Sequence, residues 1–436
     1  MPTAPLLLCA LALHLPAQDD WPAWRGPGGR AIAEGSPPVE LDREENLAWR
    51  AEVPGRGLSC PVVVGEHVYL TSALGTGRTR AADSQGQGAG RGRGRSAPLE
   101  EQELWVLAYA RSSGELAWRA KAATAMPHQG THRDGSYATP TIAADAERVI
   151  ASFGSFGVYA YDHAGQPLWQ TDLGELSITM GFGEGSSPAL HGDTLVLNWD
   201  HDGDSFVVAL DAASGEERWR TERSSGTSWT SPLIVEHGER VQVIVGTRRA
   251  SGYDLDSGAE LWAWGQAPAR GGGVITSTVV ADGRVFVATG ARRGALHAFD
   301  LAALSDGEPQ NDAELLWTHS GDTPHVPSPI AYGGLLYMLK SNSGILTAFD
   351  AATGEVVYGP LRMEGLQSAY ASPVAASGRL YFAGRDGAVE VVAAGREYVS
   401  LHTSRFEDSF DASPAIAGDA LYLRGRSHLY CLRAPE

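Results

Sequence analysis

Short apolar runs recur along the whole chain, punctuated by Gly, Pro, Asp and Ser. One run follows each Ser-Pro or related dipeptide: Cys60-Pro61, Thr139-Pro140, Ser187-Pro188, Ser231-Pro232, Ser328-Pro329, Ser372-Pro373 and Ser413-Pro414, with a degenerate copy at Ser277-Thr278. A turn and a second run come next, as in His67–Leu70, Thr194–Leu197, Leu335–Met338, Arg379–Phe382 and Ala420–Leu423. A third phrase closes each unit and is clearest at Ala209-Leu-Asp-Ala-Ala-Ser-Gly-Glu-Glu-Arg-Trp219 and Ala348–Tyr358; looser copies end at Trp118, Trp169, Trp262 and Trp317. Its physics is local. Asp at the strand end accepts from turn amides, Gly supplies the positive φ of the reversal, and the aromatic that follows can pack on a neighbouring unit.

Each unit therefore predicts four short strands, here A to D, repeated at 41–51 residue intervals. Such a period signals a propeller blade. Eight A strands predict an all-β, eight-bladed β-propeller. The last unit stops at strand C, Leu429–Leu432, while Leu47–Arg50 reads as a D strand with no A to C before it. The N-terminal strand is thus expected to close the ring on the last blade. The interval from Pro61 to Pro140 is longer because a Gly/Arg-rich segment, residues 74–98, is inserted there and reads as a flexible loop. The expected organisation is a leader (1–17), an extension (18–46) and one propeller (47–433).

Composition narrows the function. The 53 Gly and 24 Pro in 436 residues argue against a helical protein. A net charge of −18 argues against binding nucleic acid or anionic membrane. Residues 1–17 carry an apolar run, Leu6–Leu13, and a small residue before Gln18, which reads as a secretory signal. The expected location is periplasmic or extracellular, without a transmembrane segment, and the expected state is a monomer. Cys9 follows Leu8 rather than a small residue, so no lipid anchor is expected. Cys60 and Cys431 fall on different strands of adjacent blades and read as buried thiols.

The repeats resemble the pyrroloquinoline-quinone-type propeller repeat, and Ala209–Trp219 resembles its tryptophan-docking motif. Trp21-Pro-Ala-Trp-Arg-Gly-Pro27, Gly181–Pro188, Asn198–Ser205 and Thr227–Pro232 are similar to segments of exported bacterial propellers grouped with the outer-membrane assembly lipoprotein BamB. The resemblance implies either a binding scaffold or a quinoprotein dehydrogenase. The latter family carries an adjacent Cys-Cys pair, a Trp on the quinone and Ca²⁺ held by Glu, Asn and Asp. This chain has no Cys-Cys pair and no Cys-x-x-Cys-His. No quinone is therefore expected, and no catalytic residue is assigned.

Strand alternation places the A–B and C–D turns on one face and the D–A and B–C connectors on the other. The second set is irregular: His128–Asp134, Gly181–Gly185, Trp229, Arg270–Gly273, Asp200–Asp204, Arg248-Arg249, Arg292-Arg293, Lys340–Asn342 and Arg385-Asp386. Binding residues concentrate on loops held by a rigid scaffold. The candidate binding set is Glu184, Trp199, Asp200, His201, Asp202, Asp204 and Trp229. Asp200, Asp202 and Asp204 alternate round a Gly and could converge on Ca²⁺, or cap turn amides. Glu184 could act as a base or satisfy amides; Trp199 and Trp229 could stack a ligand or pack between blades. His128 and His132 lack a third zinc ligand nearby. Two readings follow: a non-catalytic scaffold for a protein or small ligand, or a quinone- or metal-dependent oxidoreductase.

Overall fold

The computed structural model describes residues 19–81, 98–265, 273–290, 294–305 and 314–435. The leader, most of the 74–98 insert, Arg270 and Arg292-Arg293 lie outside the described residues. Eight antiparallel sheets form the blades of a β-propeller, as the repeat count predicts. Blade 3 is representative, with strands Ala189–His191, Thr194–Trp199, Ser205–Asp211 and Glu217–Arg223. Blade 8 combines Ala415–Ala417, Ala420–Arg424 and His428–Leu432 with the N-terminal strand Leu47–Glu52, and Trp49 lies opposite Cys431. In blade 1 the insert begins as strand, since His67–Arg80 pairs with Leu99–Ala110 as far as Arg80 opposite Leu99. Blade 5 carries a short helix, Leu301–Ser305, after strand C.

Where the third phrase ends in Trp, that indole commonly locks one blade to the next. Trp49, Trp118, Trp169 and Trp219 each donate Nε1–H to a carbonyl in the following blade, on Arg111, His163, Ala212 and Leu255. Each indole also lies on the glycine of the next C–D turn. At Gly215, with φ +74°, a Cβ would come 2.5 Å from the Trp169 ring, so the turn needs glycine twice over, for its conformation and for the indole. Trp262 departs from this pattern. It packs over Gly252 of its own blade and donates to Gln242.

The Ser-Pro phrase has a second structural role at the ring's centre. Each residue before the inner strand donates its backbone N–H to the side chain at the same place in the next blade. The circle runs from Cys60 to Thr141 (2.9 Å), Ser187 (3.0 Å), Ser231 (2.9 Å), Ser277 (2.9 Å), Ser328 (3.0 Å), Ser372 (2.9 Å) and Ser413 (2.9 Å). Ser413 N–H closes it on Cys60 Sγ at 3.2 Å. In blade 2 the circle uses Thr141, not the Thr139 aligned from the Thr-Pro dipeptide, whose hydroxyl donates to Ser136 instead. A hydroxyl and a thiol both accept in this position, which explains why Cys60 can stand among serines.

The N-terminal extension crosses the face of the A–B turns. Trp21 bridges Val63 of blade 1, and the Pro22 carbonyl accepts from Ala144 of blade 2. Arg25 reaches Pro329 of blade 6, and Ile32–Ala33 pairs in parallel with the inner strand of blade 7. Residues 20–33 thus lie across one mouth of the central channel. Trp21 is fully buried there.

Candidate functional site

The irregular connectors gather on the face opposite this strap. Residues 178–185 precede blade 3, residues 200–204 join strands B and C of blade 3, and residues 224–230 lead to blade 4. Trp229 Nε1 donates to the Gly183 carbonyl at 2.7 Å. Asp202 accepts from the Thr227 hydroxyl at 2.8 Å, and its own N–H donates to Ser177. His201 Nδ1 accepts from Ser177 N–H at 3.0 Å while Nε2 bonds the Asp204 carbonyl at 3.1 Å, which fixes its tautomer and binds its own loop.

The three aspartates do not share a focus. Asp200 is fully buried in an ion pair with Arg223, 2.8 Å from Oδ1 to Nε, and Arg223 also donates to the Tyr253 hydroxyl. Asp202 is engaged with Thr227, and Asp204 is exposed. Among the described residues, no three His, Cys, Asp or Glu side chains assemble as a metal set. The donor set therefore does not fit Ca²⁺ at this loop: its most buried carboxylate is already neutralised by a guanidinium. Trp199 is buried and stacks on Phe206 at 6.0 Å, within the core between blades 2 and 3.

Glu184 turns inward. Its carboxylate accepts from Ser155 N–H at 2.8 Å and from the Ser155 hydroxyl at 2.5 Å. Burial pushes its carboxyl above the usual range, opposed by the Ser155 bonds. It borders a cavity of about 20 Å³ lined also by His128, Tyr137, Phe153 and Ile178. That volume holds about one water, not an organic ligand.

Two features escaped the sequence. Met180 and Phe182 are 57% and 37% exposed on this face, flanking Gly181. Met180 is held at φ +56°, a strained conformation for a side-chain-bearing residue. Phe182 packs edge-on to His132 (5.4 Å) and against Trp229 (6.4 Å). A platform of loops from three blades thus presents two apolar side chains to solvent. No alternation marks a loop residue as exposed, so only its surroundings reveal it. The second feature crosses the channel mouth. Arg385 of blade 7 meets Asp134 of the blade 1–2 connector at 3.2 Å and Asp411 at 2.6 Å, and stacks over Tyr370 at 3.8 Å. The sequence placed Arg385 and Asp134 on one face but gave no sign that they pair.

A family model described as outer membrane protein assembly factor BamB matches residues 102–231 and 203–435. No curated protein matches the chain. Among solved structures, a quinohemoprotein alcohol dehydrogenase from Comamonas testosteroni is similar with a TM-score of 0.67 at 12% identity, over 96% of this chain and 82% of that one. A europium-containing methanol dehydrogenase is similar at 0.67 and 11%, over 93% and 89%. BamB from Moraxella catarrhalis is similar at 0.53 and 14%, over 84% and 99%. At such identities these structures share the fold, which hosts both enzymes and scaffolds.

Proposed function

The chain belongs to the family described as outer membrane protein assembly factor BamB, and from that premise we propose that it is an exported, non-catalytic scaffold that docks a protein partner on its loop face. The observation that carries the proposal is the exposed pair Met180 and Phe182, held by a strained backbone and backed by His132 and Trp229. Exposed apolar side chains on a rigid base are typical anchors of protein interfaces. The oxidoreductase reading has less support. The chain lacks an adjacent cysteine pair, and the loop carboxylates are spent on Arg223 and Thr227.

The test is native mass spectrometry of the chain purified from its own compartment, with binding then measured on the partner found. Phe182→Ala should weaken that binding by about tenfold or more, the range of a buried aromatic anchor. Ser214→Ala, on the opposite face, should leave it unchanged. A retained quinone mass with no protein partner would overturn the proposal, as would an effect confined to Ser214.

A further inference from the structure

The circle at the ring's centre has a chemical remainder. Each of its seven hydroxyl oxygens, on Thr141 and six serines, accepts a backbone N–H from the neighbouring blade. That leaves each with an O–H proton to give. The Thr141 and Ser413 hydroxyls also bond the Cys60 thiol; among the described residues, the other five, on Ser187, Ser231, Ser277, Ser328 and Ser372, accept without donating to a protein acceptor. All seven are buried, with Ser413 and Ser231 keeping 8% and 6% of their surface exposed. Buried polar groups are rarely left without partners.

Arg25 enters the same space from the strap. Its Nε donates to the Gly29 carbonyl at 3.2 Å and Nη2 to the Pro329 carbonyl at 2.8 Å, beside Ser328 of the circle. Its Nη1 is buried without any partner. The residue is held at φ +64°, so the strap accepts backbone strain to place it. Arg25 also lies within electrostatic reach of Cys60, three blades round from Pro329, which sets the guanidinium inside the ring. Burial lowers its pKa to about 10, so it remains charged at neutral pH. A second buried guanidinium, Arg424, donates to Ser59 and to the Thr71 carbonyl at 2.9 Å. Burial lowers it likewise to about 10, and no carboxylate acts on either group.

A buried guanidinium with an unpartnered Nη1 and five unspent serine O–H groups therefore lie at the ring's centre, with a second buried cation, Arg424, near Cys60. Water could accept from the hydroxyls, but it would not neutralise the charge, and an uncompensated buried cation is costly. The strap covers one mouth of the channel, and the Arg385–Asp134 pair crosses the other. We propose that the central channel holds a small monovalent anion of the halide class, bound by Arg25 Nη1 and by hydroxyls of the circle beside Ser328. The ligand is an ion, with spherical demand for donors and none for acceptors, which is what this interior offers.

The decisive experiment is a crystal structure of the full chain grown with bromide in place of chloride. An anomalous peak within hydrogen-bonding reach of Arg25 Nη1 is expected. Its absence, with only water at the guanidinium, would overturn the proposal. In solution, the melting temperature at constant ionic strength should rise with chloride, because an ion bound only to the folded chain stabilises it by mass action. Arg25→Gln should remove both the peak and the chloride dependence. If that variant fails to fold, Arg25→Lys keeps the charge and should keep a chloride dependence. A wild-type melting temperature indifferent to chloride would also refute the site.

Discussion

Asp200 offers the sharpest test of how the loop face is built. Its carboxylate is fully buried and 2.8 Å from Arg223, whose side chain is 2% exposed. Their gross attraction is about 6 kcal/mol at an effective dielectric near 20. Most of that offsets the cost of desolvating both groups, so the pair is not worth 6 kcal/mol net. Removing one partner is different, because the survivor stays buried and charged. Asp200→Ala leaves Arg223 with Tyr253 as its remaining named partner, and should cost about 3–5 kcal/mol. Arg223→Met should cost a similar amount. The double variant carries no stranded charge and should cost less than the two together, with a coupling of up to about 3 kcal/mol. Urea unfolding, followed by Trp fluorescence, reads these differences as midpoint shifts. A loss below about 1 kcal/mol for Asp200→Ala, or strict additivity, would refute the argument. So would a chelator that destabilises the wild-type chain but not Asp200→Ala, since that would place a cation on this carboxylate.

Gly215→Ala should destabilise by about 1–3 kcal/mol, because its Cβ would enter the Trp169 ring at a positive φ. Gly192→Ala has positive φ but open space and should cost less; equal losses in thermal melts would deny the indole its role. Glu184 gives a pH test, since burial raises its folded pKa above the unfolded value. Its contribution is then present below the ordinary carboxylate range and is lost as pH rises through the raised value. Glu184→Gln cannot ionise, so wild-type stability relative to the variant should fall across that window. A difference that is flat with pH would contradict the burial argument.

Much of the fold was legible because a propeller repeats itself. The Ala-Leu-Asp…Gly…Trp phrase states both a turn and the indole that the next unit's turn receives, as Trp169 on Gly215 shows. The orphan strand at Leu47–Arg50 was legible by counting, since blade 8 lacked its outer strand. Thr141 was less so. A two-residue slip keeps the same side of the strand, so sequence alone preferred the Thr139-Pro140 dipeptide over the residue that bonds. Of the candidate residues, Glu184, Asp202 and Trp229 could be placed in adjoining connectors. Their partners Ser155, Thr227 and the Gly183 carbonyl could not be named.

The sequence by itself determined whatever depends on neighbours along the chain: strand alternation, turn chemistry, the number of blades and the strand that closes the ring. Only the tertiary structure decided what meets across the ring. Asp200 finds Arg223 rather than a cation, Arg385 finds Asp134 from the far side, and Arg25 arrives among the serines from a strap more than three hundred residues away in sequence. The reason is physical. Local patterns fix backbone geometry within a repeat, whereas the charge and hydrogen-bond balance of a side chain depends on every group that folding brings within a few ångströms of it.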